Sequence, residues 1–149
     1  MQITEYLCDT RPKDSDIRQF EHRIGSTLPA DYRNFLITNN GGRPNPSAFS
    51  FTTCKGNHED SSVHYFFGIH DGRIGSLEVK AVLRGQRIPT DFLPIATDAF
   101  GNLILIGLGS QNKGKVYFWD HEQDEDEPSL KNISEIAETF EGFVNALSE

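Results

Sequence analysis

Residues 28–42 constrain the fold more than any other stretch, because they carry signals for both ends of a helix. Pro29 suits the first position of a helix, where its missing N–H group would have no partner within the helix. The three- and four-residue spacing of one helical face is met by Tyr32, Phe35, Leu36 and Asn39. Two asparagines and two glycines then end the run, since both residue types tolerate the left-handed backbone of a helix C-terminus. We therefore predict a short helix that packs through an aromatic face.

A second helix is predicted directly before this one. Ser15 can cap its N-terminus, and the apolar residues Ile17, Phe20 and Ile24 follow at helical spacing before Gly25 ends the run. The connection, residues 25–28, is short. We therefore expect the two helices to pack apolar face against apolar face.

The middle of the chain is predicted to form strands. Residues 48–54 alternate aromatic and small polar side chains, the pattern of a half-buried strand, and residues 63–69 form a second aromatic strand. Residues 55–62 between them are predicted as a loop. Residues 93–97 and 103–106 flank a five-residue loop containing Asp, Gly and Asn, which predicts a hairpin with a central second strand. A last strand is predicted at residues 115–119, and a short helix at residues 76–83.

The C-terminal region is predicted to be a helix over residues 134–147. Ser134 can cap it, and a continuous apolar face is formed by Ile136, Ala137, Phe140, Phe143, Val144 and Leu147. Helices at both ends with strands between them indicate an α+β architecture with a mostly antiparallel central sheet. We find no internal repeat and no linker, so residues 1–149 are predicted to be a single domain.

The negative charge lies at one end of the chain. Residues 1–119 carry 13 Lys and Arg against 12 Asp and Glu, whereas residues 120–149 carry one cation and ten carboxylates. Six of these carboxylates fall within residues 120–127, which we call the acidic segment. Such a run repels nucleic-acid phosphates, so we expect no direct nucleic-acid binding through it. It is either a solvated face or a surface that attracts a basic partner.

Sequence motifs for catalysis or metal binding are weak. His58, Glu59, Asp60 and His64 are close in sequence, but their spacing matches no zinc motif, so metal binding stays a minor alternative. We find no nucleophile elbow and no phosphate-binding loop. We therefore expect no enzyme activity and no cofactor. With two cysteines, no apolar leader and no apolar run approaching ~18 residues, we expect a cytoplasmic protein without a disulfide or a membrane span.

Two blocks of this sequence together resemble the SUKH superfamily over about residues 15–147. The first block carries Ile17, Phe20, Glu21, Ile24, Gly25, Leu28, Pro29, Asp31, Tyr32, Phe35, Leu36, Asn39, Gly41 and Gly42. In the second, residues 93–106 look like the family's "LPI" strand, glycine turn and apolar strand, and residues 114–122 end in Trp-Asp-His-Glu. Asn102 departs from the pattern, because an acidic residue is common at its position.

The resemblance implies a function in binding, since most SUKH members are small bacterial immunity proteins. It implies a protein that neutralises a cognate, basic, nuclease-type toxin of a polymorphic toxin or contact-dependent inhibition system by stoichiometric contact. The alternative is a non-enzymatic regulatory scaffold related to the fungal cell-wall-synthesis regulators. We predict that the partner contacts Trp119, as an aromatic anchor, together with Asp120, Glu122, Asp124, Glu125, Asp126 and Glu127. The oligomeric state stays open.

Overall fold

The computed structural model describes residues 1–70, 75–123 and 127–149. The helices in these residues are α1 Asp14–Ile24, α2 Ala30–Asn39, α3 Leu77–Ala81 and α4 Phe140–Asn145. The strands are β1 Gln2–Glu5, β2 Arg43–Asn45, β3 Ala48–Thr52, β4 His58–Ser62, β5 Tyr65–Phe66, β6 Phe92–Thr97, β7 Leu103–Gly107, β8 Val116–Trp119 and β9 Ile133–Ala137. A single 3₁₀ turn, His121–Gln123, follows β8. The predicted α+β class is therefore confirmed.

The central sheet has five antiparallel strands in the order β5-β6-β7-β8-β9. β7 lies in the middle, and all of its residues are buried, as its run of apolar residues predicts. β6 and β7 form the predicted hairpin around the loop of residues 98–102. Leu103 at the start of β7 pairs with Trp119 at the end of β8. This register brings the hairpin loop beside the first residues of the acidic segment.

A separate hairpin, β3–β4, occupies a region where the sequence predicted only one strand. β4 pairs with β3 in a continuous antiparallel register from Ala48↔Ser62 to Thr52↔His58. The sequence of β4 is charged and polar, and its first three residues are exposed. Such residues are common on edge strands, where a charge discourages pairing with another chain. The polar composition of β4 therefore led to a loop prediction where the chain forms a strand.

The bounds of the two N-terminal helices agree with the prediction, except for small shifts at the first residue of each helix. Gly25 and Asn40 end α1 and α2 in the left-handed conformation, with φ of 75° and 51°. α1 begins one residue before Ser15, and the Lys13 N–H donates to Asp16 Oδ2 at 2.7 Å. Pro29 lies just before the first residue of α2 instead of within it. The predicted stops were therefore more accurate than the predicted starts.

The Asn40-Gly41 corner attaches α2 to the chain around β5. The Asn40 side chain is buried, accepts the Ile69 N–H at 2.7 Å, and donates to Ile69 O at 3.0 Å and Thr10 O at 3.1 Å. A Cβ built on Gly41 would lie 2.6 Å from Phe66 O, and one on Gly68 would lie 2.2 Å from Asn40 O. The two backbones approach so closely that neither position has room for a side chain.

An aromatic core joins the helices to the central sheet and to the β3–β4 hairpin. Tyr32 and Phe35 on α2 pack against Phe140 of α4 with ring centroids 5.0 and 5.1 Å apart. Three residues further along α4, the Phe143 ring lies 5.3 Å from that of Phe49 on β3. Burial raises the pKa of Tyr32, whose hydroxyl has no hydrogen-bond partner. The helix pair and the C-terminal helix are thus one packed unit.

The predicted C-terminal helix over residues 134–147 is wrong in its first half. Residues 133–137 form strand β9, which pairs with β8 in the register Trp119↔Ile133 and Tyr117↔Glu135. Only Phe140–Asn145 are helical, and Thr139 caps them by accepting the Gly142 N–H at 2.9 Å. Pairing with the open edge of the sheet overrides the helical spacing of the apolar residues, because packing decides between weak local preferences.

Two other predicted elements are shorter than expected. Residues 63–69 contain only the two-residue strand β5, and the helix predicted over residues 76–83 covers Leu77–Ala81.

Within the described parts of the chain, no helix is both long enough and apolar enough to cross a membrane.

Candidate functional site

The acidic segment begins in a well-defined turn at the end of β8. Asp120 holds this turn: its carboxylate accepts the Glu122 N–H at 3.0 Å and the Gln123 Nε2–H at 2.6 Å. Its backbone N–H donates to Asn132 O at 3.0 Å, and Asn132 Nδ2 donates back to Asp120 O at 3.1 Å. The half-buried carboxylate of Asp120 is therefore engaged within the protein, whereas the side chain of Glu122 is exposed.

The predicted contact residues thus have different environments. Glu127 is exposed, like Glu122. The positions of Asp124, Glu125 and Asp126 lie outside the described residues, so the structure places only four members of the predicted set.

Trp119, the predicted aromatic anchor, is buried. Only 2% of its surface is exposed, and it lies on β8, between β7 and β9 in the sheet. The Arg87 guanidinium lies 5.2 Å from the centre of its ring system. The indole therefore supports the base of the acidic segment from within and offers almost no area to a partner.

The β3–β4 hairpin adds a carboxylate that the sequence analysis did not assign to this surface. Glu59 on β4 lines a small cavity together with Asp120 and Gln123. Lys55, in the turn of the same hairpin, donates a hydrogen bond from Nζ to Gln123 Oε1. We call Glu59, Asp120 and Glu122 the acidic surface. Pairing of residues 58–62 with β3 was the missing signal, since a loop prediction gave Glu59 no fixed neighbours.

The cavity beside the acidic surface is too small for an organic substrate. Its volume is about 30 Å³, roughly the space of one water molecule. Two hydrogen bonds join its walls: Cys54 N–H donates to Ser134 Oγ at 2.9 Å, and Cys54 Sγ donates to Lys131 O at 3.3 Å. These bonds attach the hairpin turn to the start of β9.

The loop between β6 and β7 forms the other border of the acidic surface. Asp98, only 3% exposed, accepts four hydrogen bonds: from Phe100 N, Asn102 N and Asn102 Nδ2 at 2.8–2.9 Å and from Ser61 Oγ at 3.1 Å. Asn102 Oδ1 in turn accepts the His121 N–H at 3.1 Å and lies 2.6 Å from His121 Nδ1. One buried carboxylate thus links β4, the hairpin loop and the 3₁₀ turn.

This linkage gives Asn102, the departure from the family pattern, a clear role. An amide at this position offers both a donor for Asp98 and an acceptor for His121, whereas a carboxylate would place two like charges together. The hydrogen bonds therefore fit an amide at position 102.

The described residues carry little of the chemistry that the alternatives require. In residues 1–70, 75–123 and 127–149, no three His, Cys, Asp or Glu side chains are grouped to hold a metal ion. His58 is exposed, with Nε2 3.7 Å from Asp60 Oδ1, and the His64 ring packs 5.0 Å from that of Tyr65. Both cysteines are free. The metal alternative gains no support from this geometry.

Comparison with known proteins places the chain in a family. The sequence pattern of the SMI1 / KNR4 family (SUKH-1) matches residues 11–146. One relative is the SPbeta prophage-derived uncharacterized protein YokK of Bacillus subtilis (strain 168), which is 28% identical over 148 residues, covering 90% of this chain and 73% of the relative. The family match includes the helix pair, the central sheet and the acidic segment. This chain therefore belongs to the SMI1 / KNR4 family (SUKH-1).

Proposed function

We propose that this protein is an immunity protein that neutralises a cognate, cationic toxin by stoichiometric binding in the cytoplasm. Membership of the SMI1 / KNR4 family supports the class of function. The observation that carries the proposal is the acidic surface, in which Glu59 of β4 lines the same cavity as Asp120, two residues before the exposed Glu122. The acidic segment continues this surface in the sequence without a cation.

The negative charge of the acidic surface is complementary to a partner protein that binds nucleic acid. Lys and Arg side chains of a nuclease-type toxin hold phosphates, and carboxylates compete for the same cations. Attraction between the opposite charges accelerates the encounter, and this acceleration falls as salt rises. Binding would then cover the nucleic-acid site of the toxin without any chemical step.

Several side-chain contacts favour binding over catalysis. His121 Nδ1 is engaged with Asn102 Oδ1, and the Cys54 thiol donates to a backbone carbonyl. The adjacent cavity holds about 30 Å³. A general base or nucleophile needs a reactive atom that is not engaged within the protein and a pocket for its substrate. His121 and Cys54 lack both. We therefore propose a non-enzymatic function.

The first test is capture of a toxin. The tagged protein is co-expressed with inactivated toxin domains encoded in the same locus, and the complexes are recovered at low and at high salt. We expect one basic toxin domain to be retained in a 1:1 complex, with weaker retention at high salt, and the active toxin to lose its growth inhibition in the same cells. Absence of both capture and protection would overturn the proposal, and capture of a signalling protein instead would favour the regulatory scaffold.

A charge variant with a matched control tests the acidic segment. The variant replaces Asp124, Glu125, Asp126 and Glu127 by the corresponding amides. The control makes the same change in net charge at four exposed carboxylates elsewhere: Asp9, Glu138, Glu141 and Glu149. We expect the association rate with the toxin to fall about tenfold in the variant and much less in the control. Equal association rates in the two variants would show that the net charge of the protein, and not the acidic segment, attracts the toxin.

A further inference from the structure

Phe100 is the large apolar side chain with the greatest exposure in the described part of the chain. Its exposed fraction is 75%, compared with 64% for Leu130 and 58% for Val82. It lies in the loop between β6 and β7. Exposed aromatic side chains are enriched where proteins bind other proteins, so a phenylalanine in this position needs an explanation.

The loop that carries Phe100 is held in place from within. The Phe100 N–H donates to Asp98 Oδ1 at 2.8 Å, and the Asn102 N–H donates to the same oxygen at 2.9 Å. Asp98 is 3% exposed and receives two further hydrogen bonds. A residue presented on such a fixed backbone loses little conformational freedom on binding, which favours affinity.

The same loop lies directly against the acidic segment. A Cβ built on Gly101 would be 3.6 Å from the imidazole ring of His121, and Asn102 Oδ1 lies 2.6 Å from His121 Nδ1. Residues 99–102 and 120–122 are therefore parts of one surface. The residues next to this contact in the chain are exposed: Phe100 precedes Gly101, and Glu122 follows His121.

We propose that Phe100 is the aromatic anchor of the partner-binding surface and that its ring receives an arginine side chain of a cationic protein. The inference rests on the proposed function and makes it more specific. A guanidinium group can stack on the ring face while neighbouring cations pair with the carboxylates. Nucleic acid also stacks on aromatic rings, but its phosphates would meet the carboxylates, so the charge favours a protein.

The test uses a synthetic hexa-arginine peptide as the probe and the full-length ¹⁵N-labelled protein as its target. Backbone amide shifts are followed by NMR as the peptide is added. We expect the shifts to concentrate at residues 99–102 and 119–123. Phe100→Ala should weaken peptide affinity about two- to fivefold, as expected for an exposed cation–π contact. Val82→Ala, which also removes an exposed apolar side chain, serves as the control and is expected to bind like the wild type.

A third variant separates the ring from its apolar area. Phe100→Leu keeps an apolar side chain but removes the π-system, so we expect it to bind the peptide as weakly as Phe100→Ala. Unchanged spectra outside the loop verify that each variant is folded. Wild-type affinity in both Phe100 variants, or shifts that avoid residues 99–102, would overturn the inference.

Failure of the inference can be distinguished from failure of the proposed function. If Phe100→Ala captures the toxin as well as the wild type does, immunity stands and the anchor is wrong. If the wild type captures no toxin but peptide binding depends on Phe100, the anchor stands and immunity is wrong.

Discussion

The helix end at residues 36–42 and the acidic segment at residues 120–127 differ in what their side chains do. In the first region the Asn40 side chain makes three hydrogen bonds within the protein, and Gly41 lies against another backbone. Among the described residues of the second region, Glu122 and Glu127 are exposed, whereas the carboxylate of Asp120 is engaged in the turn. The first region therefore uses its side chains to stabilise the fold, whereas the second leaves those of Glu122 and Glu127 available for contact.

The largest loss of stability is expected at Gly68, where the backbone lies against that of Asn40. Gly68→Ala would place a Cβ 2.2 Å from Asn40 O, so the chain must shift, and we expect the free energy of unfolding to fall by about 3 kcal/mol. Gly25→Ala is the control, because a Cβ there meets nothing within 4 Å and only the left-handed φ of 75° costs about 1 kcal/mol. Urea unfolding measures both variants. Equal losses would show that backbone proximity is unimportant.

A somewhat smaller effect is expected for Asn40→Ala. The change removes three hydrogen bonds and leaves the Ile69 N–H without its partner, so we expect a loss of about 2 kcal/mol in the free energy of unfolding. Asn34→Ala on the exposed face of the same helix should cost at most about 0.5 kcal/mol. Thermal and urea unfolding of the pair provide the measurement. A loss at Asn34 as large as at Asn40 would show that the three hydrogen bonds of the Asn40 side chain are unimportant.

Asp98→Asn tests whether the buried carboxylate of Asp98 holds the loop that carries Phe100. The amide group would turn its own N–H towards the donors that now bond the carboxylate, and we expect the free energy of unfolding to fall by about 1–2 kcal/mol. Amide exchange of Phe100 and Asn102 should accelerate, since both N–H groups lose a strong acceptor. Unchanged exchange would show that the loop is held by the strands alone.

The smallest effect on stability is expected for the fourfold amide variant of residues 124–127. Replacing four like charges that are adjacent in the sequence should change the free energy of unfolding by no more than about 0.5 kcal/mol. Urea unfolding at two salt concentrations gives the measurement. A loss above 1 kcal/mol would contradict the contrast between the two regions, because it would assign a structural role to these carboxylates.

Elements with local signals could be predicted from the sequence. The stops at Gly25 and Asn40 follow from residue types that accept a left-handed backbone, and the β6–β7 hairpin follows from two apolar runs around a polar loop. Strand β4 and the first half of the C-terminal region could not be predicted in this way. Their conformation depends on partners far along the chain, namely β3 and β8.

The candidate site was predictable only as a charge pattern. The position of the acidic segment after β8 follows from the sequence, but the burial of Trp119 depends on tertiary packing. Glu59 and Phe100 join the surface through tertiary contacts of β4 and of the hairpin loop. Side chains brought together from separate segments leave no spacing that a single sequence can reveal.

The carboxylates of Asp98 and Asp120 share one property: each holds its exposed neighbour by the main chain. Asp98 accepts the backbone N–H of Phe100, and Asp120 accepts that of Glu122. Every amino acid except proline supplies such an N–H. Positions 100 and 122 can therefore exchange their side chains while the turns persist. For the binding function that we propose, this arrangement lets partner preference change by single substitutions without first requiring compensating changes in the core.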